Sequence, residues 1–260
     1  MGIAIVTSVI IAALFAPYIA PTDPKEMDPM NALQGPNREH LFGTDQFGRD
    51  VLSRVIFGSR ISLRIGLVVV FITAILGGCI GILSGYFRAL DNAIMRIVDA
   101  LMALPAIVLA LAIVSILGPS EFCAIIALSV VYTPRTARLV RGSVLVLREK
   151  TFVEASKAIG SKSWRILAKD IFPNCLAPLI VQATFVFGYA VMSEAALSFL
   201  GAGPPPPAPS WGNIMSEGRH LLRSCPWIIL FPGLAIAFTV LGINLLGDGI
   251  RDVTDPRMLR

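Results

Sequence analysis

Residues 65–87 read IGLVVVFITAILGGCIGILSGYF and contain no charged side chain. An α-helix rises about 1.5 Å per residue and the hydrocarbon core of a bilayer is about 30 Å thick, so about 20 apolar residues cross it once. This stretch is therefore predicted to be a membrane-spanning helix.

Uncharged runs of this kind recur along the whole chain. Only 15% of the residues are charged and the mean hydropathy is +0.74, whereas a soluble domain carries about 25% charged residues. The other runs are 1–22, 100–120, 122–134, 171–193 and 224–247. Run 122–134 is short, but we count it as a span because Arg135, Arg138 and Arg141 can snorkel from a helix that continues to the interface. The sequence predicts an all-α membrane protein with six transmembrane helices.

The first of these runs is interpreted as a membrane helix and not as a cleaved signal peptide. No Lys or Arg precedes it, and Ile3 to Ala20 exceeds the usual length of a signal core. Residues 50–64 set Val51, Val55 and further apolar residues against Arg54, Arg60 and Arg64, which favours an amphipathic helix at the outer interface. We therefore divide the chain into residues 1–64, the first helix and this amphipathic segment, and residues 65–260, a core of five helices.

The distribution of Lys and Arg predicts the orientation, because cytoplasmic loops hold the excess of basic residues. Residues 135–170 contain nine Lys and Arg against three acidic residues, while 118–121 contain none. The basic block is expected in the cytoplasm, with both termini on the same side and with 21–64 and 201–223 outside. Six basic residues in 21–64 oppose this assignment, although six acidic residues accompany them.

The sequence offers no catalytic or metal-binding constellation. His40 and His220 are isolated, the four cysteines follow no metal-ligand or redox spacing, and no Gly-rich loop ends in Lys-Ser or Lys-Thr. Any ATP must then be bound by another chain. We expect the cysteines to be small buried residues, and a disulfide between Cys123 and Cys225 stays open as an alternative.

Residues 148–173 are predicted to form two short helices within the basic block. Thr151 and Glu154 have the spacing of a capping box, which favours a helix start at this point. Gly160 suits the left-handed position after a helix end because it has no Cβ atom. Ser161 is positioned to cap the next helix, and Pro173 is expected to break that helix before the fifth span.

The second short helix is expected to be amphipathic. Trp164, Leu167 and Ile171 follow one another at helical spacing on one face, with the basic residues largely elsewhere. An ordinary amphipathic segment on the anionic inner leaflet would show the same periodicity. Periodicity alone does not separate that alternative from a protein-docking element.

A family resemblance favours docking. Glu154-Ala155-Ser156, Gly160 and Ile171-Phe172-Pro173 resemble the EAA loop of bacterial ABC importer permeases, which binds the ATPase subunit. The resemblance marks loop 148–173 as the coupling loop. It assigns the contact to Glu154, Ala155, Gly160, Ile171 and Pro173.

The resemblance extends over nearly the whole chain and points to one subfamily. Three regions are similar to the C-type permeases of dipeptide, oligopeptide and nickel importers. They are Phe42-Gly43-Thr44-Asp45 through Leu63, Leu197-Ser198-Phe199-Leu200-Gly201 through Gly212, and Asn244 through Gly249 with Asp255-Pro256-Arg257.

This resemblance implies a function and a set of partners. The chain would be a permease subunit of an ATP-driven importer of peptides or a similar small solute in the bacterial cytoplasmic membrane, and not itself an enzyme. Its expected partners are a homologous B-type permease, two ATPase subunits that carry ATP and Mg, an extracytoplasmic solute-binding protein and the lipid bilayer. No cofactor is expected in this chain, and no nucleic acid partner is implied.

Glu194 stands alone between two apolar stretches. A carboxylate at mid-membrane costs about 2.5–3.5 kcal/mol, so it is expected to face protein or water. Two roles stay open for it and for the adjacent Ser193: lining the translocation path or making a hydrogen bond between helices.

A different class of transporter is the main alternative. An ion-gradient-driven secondary transporter would be expected to carry paired intramembrane charges or inverted repeats. The sequence offers Glu194 alone and no repeat. A membrane-embedded enzyme is disfavoured by the missing catalytic constellation.

Overall fold

The computed structural model describes residues 1–254, and this part of the chain is helical throughout apart from its connecting segments. The motif Asp255-Pro256-Arg257 lies outside the described residues. The helices are α1 Gly2–Leu14, α2 Ala16–Ile19, α3 Val51–Tyr86, α4 Arg88–Met102, α5 Ala106–Leu117, α6 Glu121–Leu147, α7 Thr151–Ala158, α8 Ser163–Ile166, α9 Phe172–Phe199, α10 Trp211–Gly218 and α11 Trp227–Thr254.

Four helical stretches are long and apolar enough to cross a membrane. They are Val51–Tyr86, Glu121–Leu147, Ser163–Phe199 and Trp227–Val253. A fifth candidate is the pair α4 and α5, which is bent by 91° at its break. α1 is apolar but has only 13 residues. The described structure thus contains four or five candidate spans, and the predicted sixth stays a prediction.

Of two further predicted spans, one is a continuous helix in the structure and the other is broken. The short run 122–134 lies in α6, which continues through Pro134 and the arginines to Leu147, as predicted. The run 100–120 is not one straight helix, because α4 ends at Met102 and α5 begins at Ala106. Pro105 explains this break, since it has no N–H and disfavours helical geometry at the residue before it.

α3 begins earlier than the sequence predicted. Its N-terminus is capped by Asp50, whose carboxylate accepts a 2.7 Å hydrogen bond from the backbone N–H of Ser53. The helix then runs for 36 residues without a break. The expected amphipathic segment 50–64 is therefore the first part of a spanning helix, and the boundary predicted between residues 64 and 65 falls within α3.

Glycines allow α3 and α6 to pack closely. Gly77, Gly81 and Gly85 recur at four-residue spacing and face α6, a pattern that brings helix backbones together in membranes. A Cβ atom added to Gly81 would lie 2.6 Å from the carbonyl oxygen of Ala137 and 2.7 Å from Cβ of Val140. α9 packs on both helices, and α11 packs on α9.

Two long connecting segments lie together at one end of the helical bundle. We call these two segments, residues 21–50 and 201–223, the cap. Trp211 donates from Nε1 to the carbonyl of Val55 in α3 at 2.9 Å, and Trp227 donates to the carbonyl of Thr44 at 3.1 Å. Loop 148–173 lies at the opposite end, after the last turn of α6.

The α3–α6 contact predicts different outcomes for two neighbouring glycines. Gly81→Ala is expected to lower the free energy of unfolding by about 1–3 kcal/mol, because its methyl group has no room. Gly78→Ala is the control, since only Leu179 Cδ2, at 3.8 Å, would contact the new methyl group. Denaturant unfolding of the detergent-solubilised chain measures both, and equal midpoints would contradict this packing.

Candidate functional site

Loop 148–173 is fixed to the helical bundle by apolar side chains. Val153, Ile166 and Ile171 are buried in one cluster with Val140 and Val144 of α6. These contacts remove their apolar surface from solvent and restrict how the loop can move relative to α6. The loop is thus a rigid extension of the bundle.

Gly160 sets the turn between α7 and α8. Its φ angle is +78°, in the left-handed region, as predicted from the sequence. The N–H of Ser161 donates to the carbonyl of Ser156, and that of Gly160 donates to Lys157, both at 3.0 Å. This pair of bonds is the Schellman motif, which ends a helix with a defined change of direction.

Two predicted caps in this loop are wrong. Lys150, not Thr151, precedes the first helical residue of α7, and no side chain caps the helix. The N–H of Glu154, which the Thr151 hydroxyl would have reached, donates to the carbonyl of Lys150 at 3.2 Å. The next helix likewise starts after Lys162 and not after Ser161.

Pro173 was predicted to break the helix before the fifth span, but the helix continues through this position. α8 continues through a π-helical turn, Leu167–Ile171, into α9, so that helical structure runs from Ser163 to Phe199. The N–H of Phe172 donates to the carbonyl of Leu167, five residues back. The wider turn accommodates Pro173, which occupies the first turn of α9, where its missing N–H costs little.

The loop presents apolar side chains to its surroundings. Ile159 is 82% exposed and Trp164 is 68% exposed. Trp164 was expected on the same face as the buried Ile171, but the structure directs it outward. Glu154, Ala155 and Pro173 are also exposed. Exposed aromatic and aliphatic residues beside charged ones are typical of a protein interface.

Glu194 lies in a contact between helices and is fully buried, with 0% exposure. Its Oε2 accepts a 2.9 Å hydrogen bond from the Ser62 hydroxyl of α3. Its Oε1 accepts a 2.7 Å hydrogen bond from Ser198, one turn further along α9. The adjacent Ser193 is partly exposed and pairs with the Tyr132 hydroxyl of α6 at 2.6 Å. The two neighbours therefore contact different helices.

A buried group of four charges was missed by the sequence analysis. Asp45 Oδ2 accepts from Arg49 Nε at 2.6 Å and from Arg54 Nη1 at 2.5 Å. Glu217 Oε2, from α10, accepts from the same two arginines at 2.5 and 2.7 Å. We call these residues the four-charge cluster. It joins both segments of the cap to α3.

The sequence contained one indication of this cluster, the equal number of acidic and basic residues in 21–64. Arg54 was expected on the polar face of an interfacial helix, but its side chain is only 1% exposed. The Arg54 side chain is buried because it pairs with Glu217. Glu217 lies too far along the chain for a local sequence pattern to reveal this pairing.

The described residues contain no group of three or more potential metal ligands. Cys123 and Cys225, for which a disulfide had been left open, are both free thiols.

Comparisons with known proteins agree with this architecture. Residues 77–260 match the family described as binding-protein-dependent transport system inner membrane component, and residues 1–36 match the N-terminal TM domain of oligopeptide transport permease C. A dipeptide transport system permease protein of Alkalihalophilus pseudofirmus is 48% identical, with 99% of this chain and 85% of the relative covered. A di/tripeptide transport system permease protein of Pseudomonas aeruginosa is 42% identical, with 99% and 87% covered.

Solved structures share the fold. An inward-facing structure of the MetNI methionine ABC transporter superposes with a TM-score of 0.66 at 23% identity, covering 78% of this chain and 97% of the other. An amino acid ABC transporter superposes with a TM-score of 0.57 at 15% identity, covering 79% and 94%.

These matches define the class of protein first, a permease of the ABC importer type. The chain belongs to the binding-protein-dependent transport system inner membrane component family. It is a multi-pass inner-membrane protein and a permease subunit of an ATP-driven importer, a transport component whose ATPase activity resides in separate subunits. The family resemblance expected from the sequence is confirmed, and the ion-gradient alternative is set aside.

The four-charge cluster predicts a large cost for removing one partner. Arg54→Met is expected to lower the free energy of unfolding by about 3–5 kcal/mol, because it leaves the buried Asp45 and the mostly buried Glu217 with one arginine. Arg64→Met is the matched control, since Arg64 is 60% exposed in its pair with Glu121 and should cost about 0–1 kcal/mol.

Unfolding midpoints in detergent, at low and high salt, measure both variants. The Arg54 effect should persist in salt because the cluster is buried. Two shifts of similar size would contradict its structural role.

Proposed function

We propose that this chain is a C-type subunit of a peptide importer, in which loop 148–173 receives the ATPase and transmits its motion to the membrane helices. The observation that carries this proposal is the construction of the loop. It is anchored from beneath by buried apolar residues and exposes Ile159 and Trp164. Peptide as the cargo is supported by the names of the dipeptide and di/tripeptide permeases that match 99% of the chain.

The predicted coupling residues divide into two roles in this proposal. Glu154 and Ala155 are exposed and are positioned to contact the ATPase, while Gly160 fixes the angle between the two short helices. Ile171 is fully buried and anchors the loop. Pro173 lies at the π-helical turn that joins the loop to α9.

The proposed motion follows from the continuity of the chain. Helical structure runs from Ser163 to Phe199, so a displacement of α8 is passed to α9 without an intervening flexible segment. Closure of two ATPase subunits on ATP and Mg would move the loop and change which side the path opens to. Each nucleotide state must then favour one conformation energetically.

The proposed orientation places loop 148–173 and both termini in the cytoplasm. α1 and α2 together form the first of six spans in this arrangement. A homologous B-type subunit encloses the path with this chain, and two ATPases lie beneath the pair. The cap lies outside and meets the solute-binding protein. The six Lys and Arg in residues 148–170, against three acidic residues, support this orientation.

For the two path candidates we propose separate roles. Ser193, partly exposed beside Tyr132, lines the path. Glu194, enclosed between α3 and α9, holds these helices together directly behind the path.

Gly160 provides the test of coupling. Gly160→Val is expected to weaken co-purification of the ATPase subunits and to reduce ATP-dependent peptide uptake, because a β-branched residue at positive φ costs about 1–3 kcal/mol. An added Cβ atom would meet nothing within 4 Å, so the effect comes from the backbone alone.

Gly160→Asn is the matched control, since Asn tolerates the left-handed region, and it should retain ATPases and uptake. Wild-type ATPase retention and uptake in Gly160→Val would mean that this loop is not the coupling element.

Glu194→Gln tests the role assigned to the buried carboxylate. The amide keeps one acceptor oxygen and the hydroxyls can reorient, so we expect a loss of about 1 kcal/mol in stability and nearly normal uptake. Unfolding in detergent and uptake by the assembled importer measure the two effects. A stable, assembled variant that no longer transports would instead place Glu194 on the path.

A further inference from the structure

Arg135 carries a positive charge near the middle of the bundle. Thr133 and Thr136, on either side of it in α6, pack against Gly77 of α3. Gly77 lies about 20 Å along the helix axis from Arg64 and about 14 Å from Tyr86, at 1.5 Å per residue. The uncharged run 65–87 of α3 is long enough to cross a hydrocarbon core of about 30 Å, and this contact places Arg135 within the depth of that run.

One tyrosine contacts the guanidinium, and a second tyrosine packs against the first. Its Cζ lies 5.7 Å from the centroid of the Tyr189 ring, a cation–π contact. Tyr189 in turn stacks on Tyr132, with ring centroids 6.2 Å apart and 19° between the planes. Tyr132 precedes Arg135 by one helical turn, so the side chain points back along α6 and does not snorkel towards loop 148–173.

No acidic side chain within residues 1–254 forms an ion pair with Arg135. The next two arginines of α6 differ, because Arg138 pairs with Asp99 and Arg141 pairs with Asp91, both at 2.5 Å. Arg135 is exposed, and Tyr189 beneath it is 48% exposed. A cation in this position is costly against lipid and is found facing a water-filled cavity or a binding partner.

We propose that Arg135 and Tyr189, with the hydroxyl pair of Tyr132 and Ser193 beside them, form a site on the translocation path that binds the terminal carboxylate of the passing peptide. The guanidinium presents a planar fork of N–H donors that matches a carboxylate. The partly exposed Ser193 supplies a hydroxyl group for the rest of the peptide end, and the buried Tyr132 positions it through a 2.6 Å hydrogen bond. The proposal rests on the peptide-import function proposed above. It adds that α6 and α9 recognise the carboxylate end of the peptide.

The experiment compares a dipeptide with its C-terminal amide. The complete importer in proteoliposomes is supplied with ATP and saturating loaded binding protein, and initial uptake of each peptide gives an acid-to-amide ratio. The acid-to-amide ratio of each variant is then divided by the wild-type ratio. This division cancels any preference of the binding protein for one of the two peptides. Arg135→Gln is expected to lower the ratio about tenfold, mainly through lost uptake of the acid.

Two variants make the result specific. Arg135→Lys keeps the positive charge and is expected to retain most of the ratio. Arg138→Gln removes a cation one turn away that already has its carboxylate partner, and it should leave the ratio unchanged. If Arg135→Gln does not assemble, Tyr189→Leu, which removes the ring that positions the guanidinium, is expected to lower the ratio in its place.

An unchanged ratio in assembled Arg135→Gln, or an equal loss of both peptides, would overturn the inference. The guanidinium would then be paired with a carboxylate of the neighbouring permease subunit. Failure of the proposed function gives a different result, because the wild-type importer itself would then take up neither peptide with ATP.

Discussion

A bilayer offers no hydrogen-bonding partner, and this constraint governs the structure. Backbone groups are satisfied within long helices, and buried side-chain charges must find partners inside the protein. Charges buried in the cap also need partners, and the four-charge cluster pairs two arginines with the buried Asp45 and with Glu217, which is 16% exposed. The cap is thereby joined to α3, which packs in turn against α6 through its glycines.

The same constraint gives different roles to polar residues that look alike in the sequence. Glu194 is satisfied by Ser62 and Ser198 and belongs to the packing between helices. Arg135 is held only by an aromatic ring in the described part of the chain, and its charge stays available to a ligand. In the roles proposed above, Glu194 therefore contributes to packing between helices and Arg135 to ligand binding.

The way in which loop 148–173 is anchored bears on its proposed coupling to an ATPase. The Schellman motif at Gly160 and the three buried anchors fix the shape of loop 148–173, and the π-helical turn joins it to α9 without a break. In the coupling role proposed above, a flexible connection would absorb a displacement made by the partner, whereas a continuous helix would transmit it to α9. The residues that anchor the loop and those that are exposed to a partner are accordingly different ones.

The sequence by itself determined the apolar runs, the family and the left-handed turn at Gly160, because each depends on residues close together in the chain. The continuation of α6 past Pro134 was also predictable from the basic residues that follow it. Only the tertiary structure decided that Arg54 is buried with Glu217, that Glu194 meets Ser62, and that Arg135 stacks on Tyr189. The missing capping box at Thr151 and the continuous helix past Pro173 were also decided by the tertiary structure. At both positions, backbone hydrogen bonds replaced the arrangement that the local sequence pattern predicted. Pairings between distant segments depend on which helices become neighbours, and only the packed structure specifies that.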